Sequence, residues 1–147
     1  MSDSEHLARI NVSFARRLLV HDLAGRSAPA GPTSPRAISG IGAYRNWCAR
    51  ADAIGFPVAG MSMVLELTED SIVVYSATFV RGRPKCRAGA LPLREIAQFT
   101  SARSLTKTHI VMLLGDGGII EFEAMTKRSA QRFVDAVLTQ RDRSPWS

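Results

Sequence analysis

Two apolar runs, His109 to Leu114 and Ile119 to Ala124, flank the tetrapeptide Gly115-Asp116-Gly117-Gly118. An Asp-Gly pair between such runs favours a tight reversal, because glycine takes positive φ without a steric penalty. The chain is thereby committed to an antiparallel hairpin, around which the other elements must be arranged. Thr126 follows as a helix cap. Ala130, Phe133, Val134, Val137 and Leu138 then recur at helical spacing, with Lys127, Arg128, Arg132 and Asp135 outside that stripe.

Upstream the pattern has period two. Met63, Leu65 and Leu67 fall on one face of a strand, and Ser62, Glu66 and Thr68 on the other. Glu69-Asp70-Ser71 reads as a turn and Ile72 to Phe79 as the returning strand, which predicts a second hairpin. Arg81 to Arg87 (RGRPKCR) reads as a polar, basic loop. Residues 88 to 93 read as a short strand, with Pro92 marking an edge or a strand end. Ile96 and Phe99 continue it after a turn.

The first third of the chain has a different character. Ser2 and Glu5 have the spacing of a capping box, and Leu7, Ile10, Phe14 and Leu18 recur as on a helix, with Arg9, Arg16 and Arg17 off the stripe. An N-terminal amphipathic helix over 1–20 is the expectation. Residues 24 to 43 are rich in Gly, Pro, Ser and Ala and read as a long loop. Tyr44, Trp47, Cys48, Ile54 and Phe56 are expected to return the chain to the core through a short helix. The organisation expected is one domain: a helix over 1–20, a Gly/Pro-rich loop and connecting segment over 21–60, and a sheet with its helix over 61–147.

Composition sets limits on function. The chain has 147 residues, enough for a single core without a covalent staple. No apolar run approaches the ~20 residues of a spanning helix. The acidic start MSDSEHLARI does not resemble a secretory signal, so a cytoplasmic location is expected. Cys48 and Cys86 lie in neither a C-x-x-C pair nor a zinc spacing, and are expected to be thiols. The net charge is +6, with the surplus divided evenly between residues 1–60 and 61–147 rather than gathered in a basic arm.

The order of strand pairs, glycine-turn hairpin and terminal helix resembles the bacterial pleckstrin-homology-like (PH-like) and GRAM-like domains. The strings carrying the likeness are LELTEDSIVVY (Leu65 to Tyr75), ALPLREIAQF (Ala90 to Phe99) and IVMLLGDGGIIEFEA (Ile110 to Ala124). HLARINVSFARRLL (His6 to Leu19) is similar to the helix preceding such domains in some actinobacterial proteins. One departure is Ser71, where the family often has arginine. The resemblance implies an α+β fold: a bent antiparallel β-sheet or barrel capped by a C-terminal α-helix, here with an additional N-terminal helix. It also implies action by binding, with polyanion contacts in the loops between strands.

Four cations, Arg81, Arg83, Lys85 and Arg87, alternate along the basic loop and would share one side of an extended chain. They are the candidate site for an anionic lipid or phosphate. Lys127, Arg128 and Arg132 are a second cationic group. His6, His21 and His109 are isolated in sequence, and no metal or cofactor is expected. Glu121 and Glu123 share a strand face that reads as solvated. Neither cysteine is surrounded by a catalytic signature, so no enzyme activity is expected. Tyr44 and Trp47 beside Arg45 and Arg50 are the single basic-aromatic cluster, read as buried rather than as a nucleic-acid platform. The leading expectation is a non-catalytic module contacting a protein partner, or a copy of itself, through exposed strand edges and the N-terminal helix. Anionic-lipid or phosphate binding is the alternative, and a small enzyme or nucleic-acid-binding protein the third.

Overall fold

In the computed structural model, residues 7–15, 40–78, 83–103 and 107–143 are described. They form seven strands and two α-helices: β1 (Ala8–Phe14), α1 (Gly40–Ala53), β2 (Ser62–Leu67), β3 (Ser71–Ala77), β4 (Pro84–Pro92), β5 (Ile96–Arg103), β6 (Thr108–Leu114), β7 (Ile119–Ala124) and α2 (Lys127–Arg143). A 3₁₀ turn, Leu93–Glu95, joins β4 to β5. The α+β class and the antiparallel sheet therefore stand as expected.

The strands lie in the order β4-β3-β2-β1-β7-β6-β5, every neighbouring pair antiparallel. The sheet's two outermost strands, β4 and β5, are consecutive in sequence. Laid flat, seven strands would hold those edges about 29 Å apart, from six spacings of ~4.8 Å. The link from Pro92 to Ile96 reaches at most about 14 Å. The sheet must therefore curl until its edges approach at this corner, where Leu93 donates its amide to the Asp70 carbonyl and Gly115 donates to that of Glu95.

Curling gathers one face of each strand into a single core. Ile10, Val12 and Phe14 meet Met63, Leu65, Leu67, Ile72, Val74, Ile110, Met112, Ile120 and Phe122 there. An extra residue in β5, between Ile96 and Gln98, lets Ile96 and Phe99 both point inward although they are three apart. α2 closes one opening. Thr126 Oγ1 accepts the Ser129 amide at 3.1 Å as its cap. Ala130, Phe133, Val134 and Val137 are buried, with Phe133 edge-on to Phe99 at 6.1 Å between ring centroids.

The expected N-terminal helix is not what forms. Residues 8–14 are a strand, paired with β2 from Ala8↔Leu67 to Ser13↔Ser62 and with β7 from Val12↔Ala124 to Phe14↔Phe122. Ala8-Arg9-Ile10-Asn11-Val12-Ser13-Phe14 alternates perfectly, and two neighbouring strands complete its backbone hydrogen bonds. A helix here would leave β2 and β7 as facing unpaired edges. Ser2, Glu5, Leu18 and most of the Gly/Pro-rich stretch lie outside the described residues.

The short helix expected around Tyr44 and Trp47 is α1, which begins at Gly40, inside the segment read as loop. It ends in a Schellman turn. Gly55 takes φ 80°, Phe56 donates its amide to Ala51 and Gly55 donates to Asp52. That turn directs Phe56 onto Trp47 and Phe122. The following residues cross the curled sheet as a strap. A Cβ on Gly118, in the β6–β7 turn, would lie 2.5 Å from the Ile54 side chain, and one on Gly89, in β4, 2.8 Å from that of Pro57. The two glycines allow backbone and strap to approach this closely.

Candidate binding edge

The structure describes three of the four cations of the predicted site. Arg81 lies outside the described residues. Arg83 immediately precedes β4, while Lys85 and Arg87 stand within it, and all three side chains are exposed. The segment read as a basic loop is thus strand from Pro84 onward. Backbone bonds fix its start, since Thr78 donates its amide to the Arg83 carbonyl and Arg83 donates to Thr78 Oγ1.

Simple alternation does not hold along β4. The pairs Val74↔Gly89, Tyr75↔Arg87 and Ala77↔Pro84 leave extra residues in β4 at two places, so it carries two bulges. Four consecutive side chains, Lys85, Cys86, Arg87 and Ala88, are consequently exposed. The cations crowd one short length of edge rather than lining one face. The Cys86 amide turns inward to Ser76 Oγ at 3.1 Å.

β4 is terminal in the sheet and, among the described residues, pairs only with β3. The opposite edge, β5, is treated differently. Arg141 of α2 donates through Nη1 to the carbonyls of Ile96 and Ala97 at 2.9 and 3.0 Å, and Gln131 accepts from Ser101 Oγ at 2.6 Å. α2 thus caps the start of one edge, while among the described residues nothing caps the other. Proline at both ends of β4 removes an amide there, which frames the open length to residues 85–91.

The charges elsewhere are arranged otherwise. Arg9 and Glu66 are register partners across β1 and β2, with Nη2 2.8 Å from Oε2. Lys107 reaches Glu123 across the β6–β7 hairpin at 3.6 Å. On the same hairpin face His109 Nδ1 lies 3.3 Å from Glu121 Oε1, both side chains about 98% buried or more but off hydrogen-bonding alignment. The face of Glu121 and Glu123 is therefore not solvated. The fixed register of the hairpin brings together a histidine and an acid that are isolated in sequence. Lys127, Arg128 and Arg132 are exposed on α2, which packs against β5, β1, β6 and β7. Their surface is separate from that of β4.

Trp47 is buried, donating Nε1–H to the Glu121 carbonyl at 2.7 Å. Half-buried Tyr44 stacks edge-on to Phe14 at 5.2 Å. Its phenol is pushed up to about 12 by burial, then by the Cys48 thiol beside it. Both cysteines are free, Cys86 exposed on β4. An open groove of about 560 Å³ runs between α2 and the β2–β3 turn, bordered by Leu7, Glu69 and Asp135. Among the described residues no helix is long and apolar enough to cross a membrane.

No protein-family model matches the sequence, and no curated protein matches it.

Proposed function

We propose that the protein is a PH-like, non-catalytic binding module whose working surface is the open edge of β4. The curled antiparallel sheet with its plugging terminal helix supports the PH-like reading. The observation carrying the functional reading is the unequal treatment of the two sheet edges. Arg141 caps carbonyls at the start of β5, whereas no described residue pairs with the outer edge of β4, where Lys85, Cys86, Arg87, Ala88 and Ala90 are exposed. A row of unpaired amides and carbonyls is a template for another strand. Main-chain bonds would supply affinity and the exposed side chains selectivity.

The anionic-lipid or phosphate reading draws on Arg83, Lys85 and Arg87. Selection of displayed random decapeptides against the folded chain, with isotope-labelled spectra of the bound forms, separates the two. The edge reading expects extended peptides whose binding shifts amides of residues 85–91 first. Peptides that shift only other surfaces, or an empty selection alongside pelleting with phosphatidylserine vesicles that K85E/R87E abolishes, would overturn it.

A further inference from the structure

We infer that the strand accepted by the β4 edge is an acidic segment of another protein, about seven residues long, rather than β4 of a second copy. The inference rests on the edge reading and adds the chemistry of the partner. Two other cations of the sheet meet acids on a neighbouring strand: Arg9 has Glu66, and Lys107, just before β6, has Glu123. β4 has no such supply. Its one neighbour among the described residues, β3, reads SIVVYSA and contains no carboxylate. Arg83, Lys85 and Arg87 form no ion pair with any described residue. The inner side of the strand offers them no acid, which leaves these exposed charges for an incoming chain to complement.

The same composition argues against a second copy. Neither β3 nor β4 contains an acid. Two copies joined along β4 would gather the cations of both on one seam with nothing to oppose them, and like charges on neighbouring strands repel. The two bulges also break the flat edge that self-pairing requires. An incoming chain with Asp or Glu at alternate positions escapes the repulsion, and only one strand of that pair, β4, is bulged. Pro84 and Pro92, each without an amide to donate, mark the stretch over which the ladder can be unbroken.

The test uses the full chain and three alternating decapeptides, Glu-Val, Gln-Val and Lys-Val, followed by isotope-labelled spectra at low and physiological salt. The Glu-Val peptide is expected to shift amides of residues 85–91, to weaken with salt, and to bind about tenfold less tightly to K85E/R87E. That exposed double variant should keep the spectrum of the β6–β7 hairpin and bind Lys-Val instead. Equal, salt-indifferent binding of all three peptides at β4 would overturn the acidic partner while leaving the edge reading intact. If none of the peptides moves a β4 amide, both fall. Vesicle or single-stranded DNA binding that displaces Glu-Val from β4 would replace the peptide with a polyanion. A dimer in sedimentation that K85E/R87E abolishes would restore the second copy.

Discussion

The strap formed by residues 54–59 is held by two glycines, and Gly118→Ala tests this directly. The added Cβ would lie 2.5 Å from Ile54 Cγ2 and 2.9 Å from Ile54 Cβ, whereas carbon atoms rest at about 3.5–4.0 Å. Something must move by about 1 Å. The turn is poorly able to, because Gly118 donates to Asp116 Oδ1 and accepts from the Leu114 amide. Ile54, half-buried at the helix end, must give way. Overpacking of this kind costs about 1–3 kcal/mol, and a partly exposed neighbour places the expected loss near 1.5 kcal/mol. In a domain of this size that lowers the melting temperature by about 3–6 °C. Ile54→Ala removes Cγ2 and should relieve part of the clash. Urea unfolding of the wild type, both single variants and the double variant measures the coupling. The double variant should be more stable than the sum of the single effects predicts, by about 1 kcal/mol. Effects additive within about 0.3 kcal/mol, or a neutral Gly118→Ala, would refute a strap packed against this turn.

Two further outcomes follow from the same end of the molecule. Trp47→Phe removes the donor to the Glu121 carbonyl and leaves a void among Phe14, Phe56 and Phe122; a loss of about 2–4 kcal/mol in urea unfolding is expected, and a loss below about 1 kcal/mol would contradict that burial. Phenolate absorbance should show a late step near 12 that Tyr44→Phe abolishes. Since the folded state holds this proton more tightly than the unfolded chain, its contribution is complete below about 10 and is lost as pH rises towards 12. A wild-type titration unchanged in Tyr44→Phe would contradict the assignment.

The β6–β7 hairpin and α2 were legible because local chemistry decides them. The glycine turn and the helical stripe act within a few residues, and Gly117 does take φ 96°. β1 was not legible by the same means. Leu7, Ile10 and Phe14 satisfy a helical period while Ile10, Val12 and Phe14 satisfy period two. The choice is made by β2 and β7, which lie far along the chain and need a strand between them. The strict alternation of Ala8 to Phe14 was the signal that favoured the strand. At the candidate site the cations were visible in sequence, but the alternation expected of them was broken by bulges that no residue type announces. The His109–Glu121 pair was hidden for a related reason, since it depends on cross-strand register.

Hydrogen exchange of the free chain at low concentration tests the open edge most directly. Within residues 85–91, amides turned toward β3 should be protected, and those turned outward should exchange as fast as an unstructured peptide, while β2 stays protected throughout. Uniform slow exchange along β4, matching β2, would mean that something already covers this strand and would contradict the proposal built on it.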